Sequence, residues 1–475
     1  MRILFILLIV STWAQAAPLE PPVARWLQDA GVATVKAGLE VRAVDDGSVL
    51  AAVGAADLLN PASVIKVLTG WAALGLLGDD YRWRTRFFLN GPLLNGRLNG
   101  DLVIVGGGDP KLVVEDLTEI VSQMRALGLQ HIGGDVLLDD SLYIVDRQRA
   151  DAFDGLISEP YNVRPNAVMM NFKSTKFTLS PVSGKVAVEL DPPLAGVRVE
   201  NQLRLVKGSC RHRARDITVI NAGSSARPAI RLQGKYSRGC KTQSSFHAVL
   251  NHRQFIDAFF RAGWEAAGGS LGGHARFSPG KLAAMTKLSG KSLTSWYQWD
   301  SPRTLGDVVS DINKFSNNVM TRQLLLQLAA TSGAQPANRA AGLRAVHAWL
   351  RLNGLSLPGL ILENGSGLSR ETRISASGLT RVLVKAANSE QGQRLRESLP
   401  IAGVDGTMRW RLNKSAVAGQ AWIKTGSLDQ VRSIAGYVRA GSGKMYALTM
   451  IVNGPGARRS HPVQDALIQW VYDNG

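Results

Sequence analysis

The chain has 475 residues, more than one hydrophobic core usually fills, so two domains or one domain with a large insertion are expected. Hydrophobic residues make up 45% and charged residues 19%, which is ordinary for a globular protein and excludes a disordered or fibrous chain. The formal net charge of +18 is high and points either to a polyanionic neighbour or to a solvated basic surface.

Residues 1–17 have the pattern of a secretory signal peptide. Arg2 precedes the uninterrupted apolar run Ile3–Val10, and Ala14 and Ala16 form a small-x-small pattern before the expected cleavage site. This run is far shorter than the roughly 20 apolar residues of a membrane-spanning helix. We therefore expect an exported protein whose mature chain has no transmembrane anchor.

The first elements expected in the mature chain are a β-hairpin and a buried helix. Residues 39–53 alternate in hydrophobicity around an Asp-Asp-Gly turn, which is typical of a hairpin. Asn60 is a good helix N-cap, Pro61 suits the first helical position, and apolar residues then recur at helical spacing. Within this apolar helix, Ser63 and Lys66 lie one turn apart and share a face.

The middle of the chain differs from both ends. Residues 82–284 consist of short alternating runs broken by Gly, Pro and Asn, which predicts a β-rich lobe with one helix near Val114–Leu127. Helical periodicity returns after Ser301. We therefore predict an α/β domain formed by residues 18–81 and 285–475, interrupted by the β-rich lobe of one or two subdomains.

The chain is expected to close with three strands and a helix. The strands are predicted around Trp422–Thr425, Ile434–Val438 and Tyr446–Val452, and the helix over Val463–Tyr472. This helix has a single apolar stripe and lacks the Lys/Arg-rich polar face of a membrane-surface helix. We expect it to pack against the α/β domain.

Cys210 and Cys240 are the two cysteines of the chain. Export places the protein in an oxidising compartment, where disulfides persist. We expect these two cysteines to form a bridge inside the inserted lobe, with two separate buried thiols as the alternative.

The charge excess is partly local. Between Arg198 and Lys241 there are eleven Lys/Arg residues and two acidic residues, Glu200 and Asp216. An exported protein rarely meets nucleic acid, so the expected neighbours are a carboxylate-rich cell wall or an anionic membrane surface. A basic face that is merely solvated is an equally good interpretation.

Three short motifs carry the functional signal. Ser63-x-x-Lys66 places a serine at a helix N-terminus with a possible base one turn on, which suits a nucleophile. Ser316-Asn317-Asn318 falls between two helical runs, and Lys424-Thr425-Gly426 ends a predicted strand. Each motif alone is weak, as the second S-x-x-K at Ser278-Pro279-Gly280-Lys281 illustrates, because Pro-Gly there predicts a turn.

Together, S-x-x-K, S-x-N and K-T-G in this order form the signature of active-site serine penicillin-binding proteins and β-lactamases. The longer stretches "GDLVIVGGGDPKL" (100–112), "ENGSGLSR" (363–370) and "LPIAGVDGTMRWRL" (399–412) resemble the D-alanyl-D-alanine carboxypeptidase/endopeptidase family. These are the low-molecular-mass class C penicillin-binding proteins, or S13 serine peptidases. The resemblance implies a β-lactamase/transpeptidase-like α/β catalytic domain with a large β-rich insertion between the first two motifs.

The resemblance also implies roles for individual residues. Ser63 is the expected nucleophile and Lys66 its base, while Ser316 is expected to pass a proton to the leaving amine and Asn318 to orient Lys66 and the substrate amide. Lys424 is expected to receive the terminal carboxylate of the substrate, together with Thr425 and Gly426 of the same strand. The backbone N–H groups of Ser63 and Ser427 form the expected oxyanion hole.

The substrates implied are peptidoglycan stem peptides and cross-links, with β-lactam antibiotics as covalent inhibitors, and the implied location is the periplasm. The seven histidines show no metal-ligand spacing, and neither a metal nor a cofactor is expected. A β-lactamase, or a non-catalytic wall-binding protein with the same fold, is the alternative. Family members often carry a Trp and an acidic residue in the inserted lobe that receive the peptide stem, for which Asp154 and Glu159 are the acidic candidates here.

Overall fold

A computed structural model describes residues 22–32, 35–145, 153–289 and 294–475. The predicted signal peptide at residues 1–17 lies outside the described residues. In the described part, no helix combines the length and apolar composition that a membrane crossing requires.

The α-helices and β-strands are numbered in chain order. The helices are α1 (Val23–Asp29), α2 (Lys66–Leu77), α3 (Val114–Ala126), α4 (His252–Ala266), α5 (Lys281–Ser289), α6 (Leu305–Phe315), α7 (Asn318–Thr331), α8 (Arg339–Leu352), α9 (Ala376–Ala387), α10 (Gly392–Ser398) and α11 (His461–Asn474). The strands up to the second cysteine are β1 (Lys36–Ala43), β2 (Val49–Val53), β3 (Arg84–Asn90), β4 (Leu93–Leu94), β5 (Arg97–Leu98), β6 (Asp101–Val105), β7 (His131–Ile132), β8 (Val136–Asp139), β9 (Tyr143–Ile144), β10 (Thr175–Val182), β11 (Lys185–Asp191), β12 (Arg198–Val206), β13 (Thr218–Asn221) and β14 (Ala229–Ser237). The remaining strands are β15 (Gln243–His247), β16 (Ser270–Leu271), β17 (Ala275–Phe277), β18 (Tyr297–Asp300), β19 (Ala337–Asn338), β20 (Ala421–Leu428), β21 (Val431–Arg439) and β22 (Met445–Asn453).

The two ends of the chain build one antiparallel sheet in the order β2-β1-β22-β21-β20. The predicted hairpin and the three predicted closing strands are confirmed. Side chains alternate across this sheet, as strand geometry requires. On β21, Ile434 joins the core beneath α1 and α11, whereas Ala435 joins the core shared with α2, α6 and α9.

The closing helix α11 packs on this sheet, as predicted. Its apolar residues Val463, Leu467, Ile468 and Val471 are each no more than 1% exposed and share a core with β21 and β22. The sheet therefore has a helical layer on each face, and the layer containing α2, α6 and α7 carries the residues of interest.

In the described residues of the intervening part of the chain there are four further sheets of three to five strands. Its principal sheet has the order β17-β8-β6-β3-β18, in which α3 provides the crossover between the parallel strands β6 and β8. Two three-stranded sheets, β11-β10-β15 and β12-β14-β13, lie further along the chain. The residues of all these layers contribute to one extensive core.

The prediction of a single helix in this β-rich stretch is wrong. Helix α3 is present at the predicted position, but α4 and α5 occur as well. The sequence signal for α4 is clear in retrospect: Asn251 and Gln254 form a capping box, and Phe255, Phe259 and Phe260 then recur at helical spacing. The surrounding short strands do not lower the helical preference of this segment.

The position of β18 bears on where the insertion ends. This strand pairs with β3, and Tyr297 and Trp299 belong to the core of the inserted sheets. Trp83, in contrast, belongs to the core around α2. We therefore propose that the inserted lobe runs from about residue 84 to Asp300, in place of the predicted 82–284.

Candidate active site

Ser63 lies in a 3-10 turn, Ala62–Ile65, and the α-helix begins at Lys66. The prediction of Ser63 in the first α-helical turn is therefore wrong in detail. In a 3-10 turn there are three residues per turn, so side chains three apart are eclipsed. This geometry places the two side chains in line, and the Lys66 Nζ donates to the Ser63 Oγ over 2.8 Å.

Lys66 is completely buried although it carries a titratable amine. Besides the bond to Ser63, its Nζ donates to the Asn318 Oδ1 at 2.6 Å and to the Ser366 carbonyl oxygen at 2.5 Å. All three acceptors are neutral. Among the residues that the structure describes, no carboxylate pairs with this amine to stabilise its charged form.

The loop at residues 363–370 fixes the position of the Ser63 turn. Asn60 donates from its Nδ2 to the Ser369 carbonyl, and its Oδ1 accepts from the Ala62 N–H at 2.9 Å. Thr69 on α2 donates to the Gly365 carbonyl at 2.8 Å. The sequence comparison of this stretch suggested family membership but assigned it no role, and Ser366 contributes through its backbone, which a side-chain motif does not reveal.

Ser316 and Lys424 form a second pair. Ser316 ends α6 in the left-handed region, at φ 58°, so that the chain turns before α7 begins at Asn318. The Lys424 Nζ donates to the Ser316 Oγ at 2.9 Å and to the Thr425 carbonyl oxygen at 2.8 Å. The Thr425 hydroxyl donates to the Thr407 hydroxyl at 2.8 Å, so the 399–412 stretch borders the same strand.

Gly426 has a steric reason to be a glycine. A Cβ on this residue would lie 2.2 Å from the Ser433 Oγ, 2.8 Å from the Pro61 carbonyl oxygen and 3.0 Å from the Ser63 backbone nitrogen. The strand can approach the Ser63 turn this closely only because position 426 has no side chain. Ser427 follows and is exposed, so the edge of β20 and the N-terminal end of α2 border one cleft.

The electrostatics of the site are set by buried cations. Burial lowers the pKa of Lys66 well below its usual range, and the positive charges of Lys424 and Arg322 lower it further. Burial also lowers the pKa of Lys424 to about 7. Burial and the neighbouring positive charges therefore favour the neutral form of the Lys66 amine, the form that can accept a proton.

Arg322 was not identified from the sequence. It lies on α7, one turn after Asn318, and burial lowers its pKa to about 10. Its Nη2 donates to the carbonyl oxygens of Tyr161 at 2.7 Å and Val163 at 2.8 Å. Arg322 and these carbonyl groups are more than 150 positions apart in the sequence, so no local sequence pattern predicts the contact.

Other residues of α7 also contact the inserted lobe. Gln323 exchanges hydrogen bonds with the backbone of Asn166, accepting at 2.9 Å and donating at 3.0 Å. Gln327 accepts from the Tyr143 hydroxyl at 2.9 Å. The helix that carries Asn318 is thus directly bonded to the lobe, and the position of that helix depends on both parts of the chain.

The two acidic candidates of the inserted lobe influence each other electrostatically, and one of them has hydrogen-bond partners nearby. Asp154 accepts hydrogen bonds from the Tyr161 hydroxyl at 2.7 Å and from the Asn162 Nδ2 at 2.8 Å. Burial, and then the neighbouring Asp154, raises the pKa of Glu159. Asp154 therefore helps to organise the segment that Arg322 also holds, through the Tyr161 and Val163 carbonyls.

The remaining predicted residues lie away from this cleft. Ser278 follows β17 and its N–H donates to the Leu138 carbonyl, so the second S-x-x-K is a turn in the inserted sheet. Cys210 and Cys240 form a disulfide within the lobe. The cleft itself brings together the serine and lysine of the first motif, the serine and asparagine of the second and the strand of the third.

The arrangement contains the components of an acyl-transfer site. It has a serine hydroxyl bonded to a buried amine, a second hydroxyl bonded to a second amine, and backbone N–H groups at the N-terminal end of a helix. A hydroxyl beside a base can attack a carbonyl carbon, and N–H donors can stabilise the resulting oxyanion.

Comparison with known sequences places this geometry in context. The profile described as the D-Ala-D-Ala carboxypeptidase 3 (S13) family matches residues 19–473. The D-alanyl-D-alanine carboxypeptidase DacB of Haemophilus influenzae is 24% identical over 88% of this chain and 85% of its own length. The D-alanyl-D-alanine carboxypeptidase of Actinomadura sp. (strain R39) is 26% identical over 93% of this chain and 82% of its own length.

Comparison with solved structures gives a consistent fold. The crystal structure of penicillin binding protein 4 (dacB) from Haemophilus influenzae matches with a TM-score of 0.78 at 23% identity, covering 95% of this chain and all of that one. The same protein complexed with a β-lactam matches with a TM-score of 0.74. The predicted fold class, a β-lactamase-like α/β domain with a large insertion, is confirmed.

Proposed function

Since this chain belongs to the D-Ala-D-Ala carboxypeptidase 3 (S13) family, we infer that it is a serine peptidase that cleaves after D-alanine in peptidoglycan stem peptides. Release of a terminal D-alanine is carboxypeptidase action, and opening of a cross-link is endopeptidase action. The two reactions share one acyl transfer and differ in the amine that leaves. The proposed roles of individual residues follow from the hydrogen bonds within the cleft.

In the first step, the Ser63 Oγ attacks the carbonyl carbon between two D-alanines. As the O–C bond forms, the hydroxyl proton moves to the Lys66 Nζ, which lies 2.8 Å away. The carbonyl π electrons move onto oxygen, where the backbone N–H groups of Ser63 and Ser427 stabilise the negative charge. One such donor typically contributes about 3 kcal/mol to the transition state.

In the second step, the tetrahedral intermediate collapses and the C–N bond breaks. The proton that Lys66 took from Ser63 passes through the Ser316 hydroxyl to the leaving amine, which leaves Lys66 neutral again; Lys424 donates a hydrogen bond to Ser316 at 2.9 Å. An ester between Ser63 and the D-alanyl carbonyl remains. Water then attacks this ester while Lys66 takes one of its protons, and as the bond between the Ser63 oxygen and the D-alanyl carbon breaks, Lys66 gives that proton to Ser63 and the free serine is regenerated.

Recognition of the substrate is assigned to β20. The carboxylate beside the leaving amine is proposed to bind near Lys424 and the Thr425 hydroxyl. Lys424 is buried, so a carboxylate that approaches it is also largely removed from water, which strengthens the ionic interaction. The carboxylate of a β-lactam would occupy the same position, which makes these antibiotics covalent inhibitors.

Arg322 is proposed to act as a positioning residue. It does not touch Ser63 in this arrangement, but it holds the segment around Tyr161 and Val163 and donates to the Asn318 carbonyl at 3.3 Å. Its positive charge also favours the neutral form of Lys66. The inserted lobe is thereby linked to the general base.

The proposal depends chiefly on one observation, the bonding of a fully buried Lys66 amine to both Ser63 and Asn318. The test is incubation with penicillin followed by peptide mapping of the adduct by mass spectrometry. The adduct is expected on Ser63 and absent from Ser63→Ala. Ser278→Ala, at the unrelated S-x-x-K, is the matched control and should label normally. An adduct on any other residue would refute the assignment.

A β-lactamase with the same motifs would release the penicilloyl group quickly. The lifetime of the adduct therefore separates the two activities, and we expect it to persist far longer than a catalytic cycle on a peptide. A non-catalytic wall-binding protein would form no adduct. We further propose that the enzyme works outside the cytoplasm, where its peptidoglycan substrate lies.

A further inference from the structure

The inserted lobe carries a concentration of positive charge that the peptidase reaction does not use. Ten of the eleven Lys/Arg residues between 198 and 241 are exposed. The structure shows how these charges are distributed over the strands β12 and β14 and the loops that follow them. The distribution is uneven, and one end of this sheet is much more basic than the other.

At the start of β12 the positive charge is partly neutralised by one carboxylate. Arg198 and Arg231 both donate to the Glu200 carboxylate, at 2.6 Å and 2.7 Å. In the middle of the sheet, Gln233 donates to Gln202 at 2.9 Å. These contacts identify one face of the sheet, because side chains two apart on a strand share a face.

Further along the same face, Arg204 and Lys235 are paired across the parallel strands β12 and β14. The two strands then lead into loops joined by the Cys210–Cys240 disulfide. Backbone hydrogen bonds reinforce this junction, from Gly239 to Gly208 at 3.1 Å and from Ser237 to His212 at 3.0 Å. The cations on these loops are thus held in place beside those of the sheet.

We define the basic stapled surface as the exposed cations at this end of the lobe. Its members are Arg204, Lys207, Arg211, Arg213, Lys235, Arg238 and Lys241. Among the residues that the structure describes, none of the seven forms an ion pair with a carboxylate, whereas Arg215 beside them pairs with Asp216. Like charges that are held together without counter-ions repel one another, so an anionic ligand would relieve an existing strain.

We propose that the basic stapled surface binds the carboxylates of polymeric peptidoglycan and keeps the enzyme on its insoluble substrate. This inference rests on the proposed function, since it assigns a second contact with the same substrate. Four of the seven cations are arginines, whose planar fork suits carboxylates. Because the wall repeats its carboxylates along each strand, several weak contacts act together and raise the effective concentration of stem peptides at Ser63.

Other polyanions fit this surface less well. A peripheral membrane surface usually adds apolar side chains that enter the bilayer. In residues 198–241, all of which are described, the exposed large apolar side chains are Val199 and Ile220, at 37% and 38%. Single-stranded nucleic acid needs aromatic rings for base stacking, and Tyr236 is completely buried. A hydrated carboxylate polymer requires neither feature.

The test measures binding without cleavage. Ser63→Ala protein is mixed with purified, insoluble peptidoglycan and sedimented at increasing salt concentration. The test variant has the same Ser63→Ala background and four further changes on the basic stapled surface, Arg211→Gln, Arg213→Gln, Arg238→Gln and Lys241→Gln. The matched control carries four neutralised exposed cations of the catalytic part instead, Arg344→Gln, Arg351→Gln, Lys385→Gln and Lys444→Gln.

We expect the four changes on the basic stapled surface to weaken sedimentation by roughly tenfold or more at about 0.1 M salt, and the control to bind as the parent does. The parent protein should also fail to sediment with peptidoglycan whose carboxylates have been converted to amides. Equal binding of variant and control, retained binding to amidated wall, or tighter binding to phosphatidylglycerol vesicles than to wall would each overturn the proposal.

A separate measurement keeps this result distinct from the proposed peptidase activity. The same four changes are introduced into protein with an intact Ser63, and penicillin acylation is followed. An unchanged acylation rate shows that the variant is folded. Failure of acylation in the parent would refute the peptidase assignment, whereas wall binding by the Ser63→Ala protein is decided independently of it.

Discussion

Two regions of this molecule use the same residue types in opposite ways. Around Ser63, the cations Lys66 and Lys424 are buried and Arg322 is half-buried, and all three have neutral hydrogen-bond acceptors. On the basic stapled surface of the inserted lobe, seven cations are exposed to water. Burial lowers the pKa values of the first group, whereas exposed ammonium and guanidinium groups remain charged at neutral pH.

The difference shows that burial decides whether a lysine is a reagent or a fixed charge. A buried amine without a carboxylate partner loses its proton easily and can serve as a base. An exposed amine keeps its proton but is screened by salt, so it contributes to binding only when several act together. Changes that reverse burial or charge in one region should therefore leave the other region unaffected.

The largest effect is expected from removing the buried base. Lys66→Ala should slow penicillin acylation by about 10⁴-fold or more, because Ser63 then has no group that accepts its proton. Lys66→Arg should be nearly as slow, since a guanidinium keeps a positive charge but cannot act as a base near neutral pH. Rapid-quench measurement of adduct formation, analysed by intact mass, checks both variants.

The matched control for this prediction is the lysine of the unrelated motif. Lys281→Ala lies at the start of α5 in the inserted lobe and should acylate at the rate of the parent. If Lys66→Arg acylates as fast as the parent, Lys66 contributes charge alone and the comparison between reagent and fixed charge fails.

The second effect is a pH dependence that arises at Lys424. Its pKa is lowered to about 7 by burial, so it is charged below this pH and loses its charge as the pH rises. The value of kcat/KM for substrates with a carboxylate should therefore fall about tenfold for each unit above roughly pH 7. Binding of the carboxylate itself favours the charged form, so saturating substrate should move the decline to higher pH.

Lys424→Arg separates charge from other causes of this decline. An arginine remains charged above pH 10, so the variant should have a lower rate at pH 7 but no alkaline decline up to about pH 9. Persistence of the same decline in Lys424→Arg would show that a different group titrates.

A smaller effect is expected at Arg322, which links the catalytic cleft to the segment around residues 161 and 163. Arg322→Gln removes a cation that favours the neutral form of Lys66, so the pKa of Lys66 should rise. The acid limb of the acylation rate should then move to higher pH by about one unit. Arg322→Lys keeps the charge but loses the fork that holds Tyr161 and Val163. It should restore the pH profile while lowering the rate.

A purely structural role for Arg322 predicts a different result. Both variants would then lose activity at every pH, with an unchanged acid limb. Limited proteolysis near residue 161 provides an independent measure of how firmly the segment is held. The comparison of the two variants therefore separates the electrostatic contribution from the mechanical one.

Much of the catalytic part could be predicted from sequence because its signals are local. The hairpin of β1 and β2 and the closing strands follow from period-two hydrophobicity and turn residues. Ser63 and Lys66 stood out because a helix that is otherwise apolar has no packing reason to include them. The expected proximity of Ser63 and Lys66 holds although Ser63 lies in a 3-10 turn and not in the predicted α-helical turn, since side chains three residues apart lie on the same face in both.

The contacts between the two parts could not be predicted in this way. Arg322 meets carbonyl groups of residues 161 and 163, and a backbone acceptor has no identifying side chain. Lys66 likewise bonds the carbonyl of Ser366, 300 positions away. The later end that we propose for the inserted lobe rests on a similar contact, because β18 pairs with β3 and these partners are more than 200 positions apart in sequence.

The smallest effect on catalysis is expected from removing the disulfide that organises the exposed cations. Cys210→Ser with Cys240→Ser frees a loop of 30 residues, which in the chain-entropy model lowers the free energy of unfolding by roughly 3 to 4 kcal/mol. The loss of stability should be confined to the inserted lobe. It should appear as unfolding at a lower urea concentration and as faster proteolysis between residues 207 and 241.

Acylation of Ser63 should stay within about twofold of the parent, because the described hydrogen-bond partners of Lys66 and Lys424 all lie outside this loop. Wall sedimentation should weaken, since Arg211 and Arg238 are no longer held beside each other and must be ordered on binding. A parallel loss of acylation would mean that the two regions are mechanically coupled through the lobe, and the contrast between a buried reagent and an exposed binding charge would then describe one site instead of two.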